Sequence, residues 1–318
     1  SRAVIQALSK LDRFSRVFVV LEGELLAIVD RYRSKLRGRE RRRYRDYLRQ
    51  KLIRFSDFLE VAEKEGLRLS ELRSLKLKTF RSRPVTIPLK LTDGLGYLVG
   101  LITSDGHVEE NMIDISVYDE SVRRRIVELL EREFEHEPRL YYGKNRLYVI
   151  SKVFAWIIRE VFGIPVGKKA EVVKVPEILQ RRGGSPLASF IGGLFDGDGT
   201  YVAGSAVLKS ESKELLEQIQ FLLLRYGVYS LRNTEKTIIV PAPYLKRFLS
   251  EISPVRKPEI KPSKRDPYGK LCHKLPPEVM DLIKALLWEG GISEYRLRKD
   301  TGVNLSVHRR LGRITFDA

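Results

Sequence analysis

Leu98-Val-Gly-Leu-Ile-Thr-Ser-Asp-Gly106 and Ile191-Gly-Gly-Leu-Phe-Asp-Gly-Asp-Gly199 follow one pattern: an apolar stretch with glycine inside it, closed by Asp-Gly, with Asp105 and Asp198 93 residues apart. Glycine inside a soluble helix costs up to about 1 kcal/mol relative to alanine, so Gly100 and Gly192-Gly193 call for something only a missing side chain provides. That something is close backbone approach between crossing helices. Helices packed through Gly100 and Gly193 would bring their C-terminal ends out side by side, each carrying one aspartate. Two carboxylates would then share one site at the negative ends of two helix dipoles, an arrangement that disfavours both anions unless a cation joins them. Oxygen donors at a crowded anionic site favour Mg²⁺ over Zn²⁺. One copy alone would read as a buried helix followed by an Asp-Gly turn; two copies in matching contexts argue for a site.

The contexts do match. At the same offset Ile126, Leu129 and Leu130 fall on Ile219, Leu222 and Leu223, and Asp119 falls on Ser212, both good helix N-caps. After a three-residue contraction, Arg139-Leu-Tyr-Tyr-Gly143 and Lys144-Asn-Arg-Leu-Tyr-Val-Ile150 lie over Tyr229-Ser-Leu-Arg-Asn233 and Thr234-Glu-Lys-Thr-Ile-Ile-Val240. Both copies then run into amphipathic segments, Phe154 to Phe162 and Tyr244 to Ile252. The result is an internal repeat of about 90 residues. Alternation in Ile113-Asp-Ile-Ser-Val117 and Leu147-Tyr-Val-Ile150, with helical spacing elsewhere, gives each copy the order helix, two strands, helix, two strands, helix.

At these residues, over roughly 92 to 253, the chain resembles the LAGLIDADG homing endonucleases in their single-chain, two-motif form. The resemblance implies an α+β fold with two pseudo-symmetric αββαββα repeats whose sheets grip a DNA major groove. It also implies that the last acidic residue of each motif, here Asp105 and Asp198, binds divalent metal, with Ser104 and Gly197 beside them. Asp196 matches an earlier, structural aspartate of the motif, and Thr103 replaces it in the first copy. The implied chemistry is Mg²⁺-assisted phosphodiester hydrolysis. The family places a lysine or glutamine on the sheet beside each metal site, which points to Lys209 and Lys152 as catalytic candidates. Their repeat partners are Ser116 and Ala242, so neither lysine is duplicated. Sheet residues expected on DNA are Arg139, Tyr141, Lys144, Arg146, Arg232 and Lys236.

Composition fits a polyanionic partner. The chain has 59 Lys+Arg against 41 Asp+Glu, a formal charge of +18 in 318 residues, which implies attraction to nucleic acid and strong salt dependence. Residues 1 to 90 hold 24 of those cations and 11 of the anions. A single cysteine, Cys272, excludes an internal disulfide and fits a reducing, cytoplasmic setting. No stretch is long and apolar enough to span a membrane. Four Asn and five Gln beside abundant Lys, Arg and Glu lean toward a thermophilic or archaeal source.

The repeats, 91–175 and 176–253, are flanked on both sides. Residues 1–90 read as a basic helical region whose arginines, Arg41, Arg42 and Arg43 among them, suit bidentate phosphate contact. Lys76 to Leu91, with Pro84 and Pro88, reads as an extended connector. After a linker at 254–275, residues 276–318 read as helix-turn-helix-like: Pro277 to Glu289, Ser293 to Lys299, the turn Asp300 to Val303, then a helix from Asn304 to Arg313 presenting Ser306, His308, Arg309 and Arg310.

The expected function is therefore that of a monomeric, pseudo-twofold endonuclease cutting a long asymmetric duplex site, of the kind tied to intron or intein mobility. The alternatives are a non-catalytic DNA-binding regulator on the same scaffold, marked by degenerate acidic positions, and an RNA-splicing maturase. An intein origin carries less weight, since no splicing-type start or His-Asn end is visible.

Overall fold

A computed structural model of the chain describes residues 2–80, 82–136, 139–141, 145–202, 204–258, 272–273, 285–301 and 314–315. The chain divides into two units, Ser1–Glu259 and Ile260–Ala318. The first holds the N-terminal region and both repeats around one continuous apolar core.

The N-terminal region runs α1 (Arg2–Ser15), β1 (Val17–Val20), α2 (Gly23–Lys35), α3 (Gly38–Gln50), β2 (Leu52–Arg54), α4 (Phe55–Lys64), β3 (Ser74–Thr79) and β4 (Val85–Pro88). It is mostly helical, and it also carries the strands β1 to β4, which the sequence did not announce. Its strands form an antiparallel sheet in the order β2-β1-β3-β4, because Val17, Val19, Leu75, Leu77, Val85 and Ile87 alternate along pleats and bury one face. Half of the supposed connector Lys76 to Leu91 is thus sheet. Its Pro88 is tolerated because β4 is an edge strand.

The first repeat follows as α5 (Asp93–Asp105), β5 (Gly106–Val108), β6 (Ile113–Ser116), α6 (Glu120–Glu133), β7 (Arg139–Tyr141), β8 (Arg146–Val149) and α7 (Lys152–Phe162). A short helix, α8 (Glu177–Arg182), leads into the second: α9 (Gly184–Asp198), β9 (Gly199–Val202), β10 (Ser205–Lys209), α10 (Lys213–Leu224), β11 (Leu231–Thr234), β12 (Thr237–Val240) and α11 (Ala242–Glu251). The expected αββαββα order holds in both copies, and the antiparallel sheets share one strand order, β5-β6-β8-β7 and β9-β10-β12-β11. Both expected N-caps form: Asp119 accepts from Ser121 N at 2.8 Å and Val122 N at 3.0 Å, and Ser212 Oγ from Leu215 N at 3.1 Å. Helix α7 joins the N-terminal region to the first repeat, where Trp156 Nε1 donates to Ala7 O at 2.9 Å.

Helices α5 and α9 make the tightest helix crossing among the described residues. A Cβ on Gly100 would stand 2.0 Å from Phe190 O, and one on Gly193 would stand 2.1 Å from Tyr97 O. These contacts are reciprocal under the 93-residue offset, since Phe190 is the repeat partner of Tyr97 and Gly193 that of Gly100. The glycines are therefore retained for backbone-to-backbone approach, which carries the two helix ends to one place.

In the C-terminal unit, residues 285–289 are helical, and the helix expected over Ser293 to Lys299 is Glu294–Thr301, beginning one residue later and running two residues into the expected turn. Cys272–His273 pairs antiparallel with Ile314–Thr315. Ser306, His308, Arg309 and Arg310, with the rest of the expected second helix, lie outside the described residues, as does Lys144. No helix among the described residues is long and apolar enough to cross a membrane.

Candidate active site between two helix ends

Asp105 and Asp198 are the last residues of α5 and α9. The crossing holds them together so closely that a Cβ on Gly197 would meet Ser104 Oγ at 2.0 Å and Asp105 Oδ2 at 3.2 Å. Only glycine fits there. Burial pushes the Asp105 carboxyl above the usual range, against the pull of Lys169 and Arg256. Asp198 is pushed up to about 6, first by the protein atoms crowded round it and then by the charge of Asp105.

Two cations missed by the sequence reading stop this site from being purely anionic. Lys169, beyond the end of α7, is buried and donates from Nζ to Ile102 O, to Thr103 O at 2.6 Å and to Ser104 O at 3.1 Å. It caps the C-terminal carbonyls of α5 with a positive charge, the favourable end for a cation. Desolvation pulls its ammonium down to about 8, opposed by Asp198 and Asp105. Arg256, beyond the end of α11, does the same for α9: its Nη2 donates to Phe195 O at 2.8 Å and Gly199 O at 2.6 Å. Phe195 is the repeat partner of Ile102, so the caps are equivalent in place while differing in residue. The available signal was a dibasic pair after the last helix of each copy, Lys168-Lys169 and Arg256-Lys257.

Asp196 is buried and satisfied by Tyr97 Oη at 2.9 Å, Val255 N at 2.7 Å and Arg256 N at 2.9 Å. It ties the chain after α11 to the helix pair. In the first copy Thr103 returns its hydroxyl to Val99 O at 2.7 Å, a self-contained substitute.

Two cavities flank the helix ends. One, of about 340 Å³, is lined by Asp105, Ser116, Asp119, Asp196 and Arg256 among others. The second, of about 450 Å³, is lined by Asp198, Lys169, Lys209, Lys236 and Glu211 among others. Lys209 thus reaches the site. Lys152 lines neither cavity and instead pairs with Glu110 at 2.8 Å. On the sheets, Arg146 is exposed and pairs with Asp114 at 2.9 Å, Arg232 Nε donates to Thr234 O at 3.0 Å, and Lys236 pairs with Glu211. Arg139 and Tyr141 lie on β7. On α3, Arg41 and Arg42 are exposed. Arg43 pairs with Asp57, its guanidinium 5.5 Å from the Tyr44 ring centre and 5.8 Å from that of Tyr47.

The donor set fits a hard divalent cation. Two carboxylates with elevated proton affinity lie side by side, and no cluster of three or more His, Cys, Asp or Glu suited to a metal exists among the described residues. Mg²⁺ tolerates such a sparse protein shell because it keeps water and phosphate oxygens in its remaining positions, whereas structural Zn²⁺ requires four protein donors.

Residues 185–253, which span α9 to the end of the second copy, match the family described as a LAGLIDADG-like domain. The second copy therefore carries a LAGLIDADG-like domain. The chain is 34% identical over 145 residues to a replication factor C small subunit of Methanocaldococcus jannaschii, covering 44% of this chain and 7% of that protein. It is 31% identical over 188 residues to elongation factor 2 of Methanopyrus kandleri, covering 58% and 15%. The chain spans between 7% and 20% of the length of such curated relatives. Among solved structures it is similar to I-DmoI in complex with DNA and Mn, at 18% identity and a TM-score of 0.40, covering 51% of this chain and 97% of that one.

Proposed function

We propose that this LAGLIDADG protein is a site-specific endonuclease of duplex DNA that acts with a divalent cation. The observation carrying this reading is the reciprocal α5–α9 crossing, which delivers Asp105 and Asp198 to one point between two open, cation-bearing cavities. Bound between those carboxylates, a divalent ion would neutralise phosphate charge and lower the pKa of an attacking water.

The chain's own residues do the rest. Asp105 and Asp198 hold the charge at the dyad, one facing each strand. Lys169 and Arg256 keep the helix ends from repelling a phosphate that approaches them. Lys209 stands in the second cavity where charge on a pentacoordinate phosphorus would develop, the placement that makes fixed cations effective. Arg146, Arg232, Lys236 and the exposed arginines of α3 supply backbone contacts, which fix register without reading sequence.

The relatives point the same way. Replication factor C and elongation factor 2 have unrelated activities, yet the chain matches a minor part of each. What each shares with this chain is a segment of 145 to 188 residues, which fits an element inserted into unrelated hosts, and a nuclease that opens a target site would let such an element spread. The regulator reading would be favoured by loss of an acidic position, and both positions are present.

Incubating the protein with a randomised duplex library and Mg²⁺, then sequencing the new ends, tests the proposal. Ends at a defined site with a fixed stagger are expected. Intact DNA under every divalent cation tried, with binding retained, would leave the regulator reading in its place.

A further inference from the structure

The N-terminal sheet has a second face that the core does not use. Val17, Val19, Ile53, Leu75 and Leu77 are buried in the core, where α1 and α4 pack against β1, and the residues alternating with them point the other way. The register sets Phe18 in one cross-strand row between Arg54 of β2 and Lys78 of β3, and sets Val20 beside Leu52. Phe80, the first residue past β3, follows Lys78 by two and is 72% exposed. Phe18, Val20, Leu52 and Phe80 all lie outside the core.

The charges around these rings are positive. Lys78 is half-buried between its neighbours and forms no ion pair among the described residues. Arg54 keeps a side chain 39% exposed while Nε rests 3.4 Å from the buried carboxylate of Asp12, which holds the guanidinium in place. Arg16 is exposed at the start of β1, and the register continued one residue past Val17 and Thr79 sets it across from Phe80. The exposed carboxylates of this face, Glu22 and Glu135, stand at its other end, 3.3 and 2.8 Å from Lys76, and are committed to that lysine. Residues 1 to 90 as a whole carry 24 Lys+Arg against 11 Asp+Glu.

An open ring with a cation about 5 Å to each side suits an unpaired nucleotide, whose base is an apolar π surface and whose phosphate is an anion. Duplex bases are stacked on one another and offer only their edges in a groove, so a flat sheet face does not reach their π surfaces. Phe18 and Phe80 are diagonal neighbours, about 7–8 Å apart between backbones, which leaves room for two successive splayed bases. Independently of the nuclease reading, we propose that this face binds single-stranded nucleic acid, with bases stacked on Phe18 and Phe80 and the backbone held by Arg16, Arg54 and Lys78. Val20 and Leu52 extend the apolar floor on which the strand lies. Every base has a π face, so binding should tolerate any sequence.

The test uses the full chain with EDTA present and fluorescence anisotropy on labelled oligomers of one length. A thymidine oligomer and a uridine oligomer distinguish DNA from RNA as the source of the strand, and tight binding of either supports the proposal. Phe80→Ala should weaken the preferred strand on the order of tenfold, while affinity for a duplex of the same length changes by less than about twofold. Because Phe80 is exposed, its truncation leaves the fold alone; Phe18→Ala should act in the same direction, with a thermal melt confirming that it folds. An abasic oligomer carries the same charge without bases, and both the wild type and Phe80→Ala should bind it equally weakly. Lys78→Ala should instead flatten the salt dependence for every single strand by about 0.7 unit of slope. Unchanged affinity of Phe80→Ala for both strands would overturn the proposal, and so would an abasic oligomer bound by the wild type as tightly as the thymidine oligomer. Sedimentation showing that the wild type self-associates and Phe80→Ala does not would overturn it as well, by giving the face to a second copy of the chain.

Discussion

The contact between α5 and α9 and the cavities at their ends are a few ångströms apart, and they have diverged by different amounts. Along the contact the 93-residue offset survives atom for atom: Gly100 on Phe190 O, Gly193 on Tyr97 O, cations on Ile102 O and Phe195 O. At the cavity mouths it fails, with Lys209 opposite Ser116 and Glu211 opposite Tyr118. Packing constrains both partners of a contact at once, because a backbone that approaches another at van der Waals distance has no room for any side chain. A cavity imposes no such reciprocity, so the two halves are free to diverge there.

The largest effect should come from breaking the contact. Gly100→Val or Gly193→Val places a branched side chain against a backbone carbonyl that cannot retreat, and a loss of about 4 kcal/mol or more is expected by chemical denaturation. Retention of wild-type stability by either variant would mean that the helices do not cross as described.

Asp105→Asn or Asp198→Asn should leave that contact intact while lowering double-strand cleavage by roughly 10³-fold, with DNA affinity in EDTA changed only a few fold. If either variant still cut both strands at the wild-type rate, the shared site would be wrong. Lys169→Met should rank next: it strips the donors from the end of α5 and leaves two carboxylates without their buried counter-charge, a cost of about 2–4 kcal/mol. Thermal melts in EDTA and in Mg²⁺ should show part of that loss recovered by the cation.

The elevated pKa of Asp198 gives a smaller effect with a definite sign. Below its ordinary value of 3.8 the group is protonated folded or unfolded; between there and about 6 the folded chain keeps a proton that the unfolded chain has lost. The associated stability is therefore present at low pH and lost as pH rises through 6. The metal-free Asp198→Asn variant should gain on the wild type across that window and hold a constant margin above it, which melts at half-unit pH steps would register. A margin that did not change between pH 4 and 6 would show that Asp198 titrates normally. The smallest effect is expected on α3. Arg42→Ala should lower the salt dependence of DNA binding by about one unit of slope, and Arg43→Ala should instead register in stability because its guanidinium is committed to Asp57. Filter-binding titrations and melts on the two variants separate these outcomes.

Much of this was legible because its signals lie in side chains. Interior glycines, two Asp-Gly endings and the Asp119 and Ser212 caps announce the repeat. Lys169 and Arg256 were not, because what they bind is main-chain carbonyl more than 55 residues earlier, and a carbonyl leaves no mark on a sequence. The N-terminal sheet was hidden differently. Leu75 and Leu77 alternate with Lys76 and Lys78 plainly enough, but the arginine-rich α3 dominates the region's composition, and Pro84 with Pro88 mimics a linker.

Asp196 reaches forward to the amides of Val255 and Arg256, and this binds the site to the order in which the polypeptide is made. When α5 leaves the ribosome its glycine face has no companion until α9 follows, and α9 has no cap until residue 256 is made. At about 5–20 residues per second the interval between Lys169 and Arg256 lasts roughly 4 to 17 seconds. Through that interval the nascent chain holds one finished helix end and one bare one. The paired helix ends are thus completed only by nearly the last segment of the second repeat.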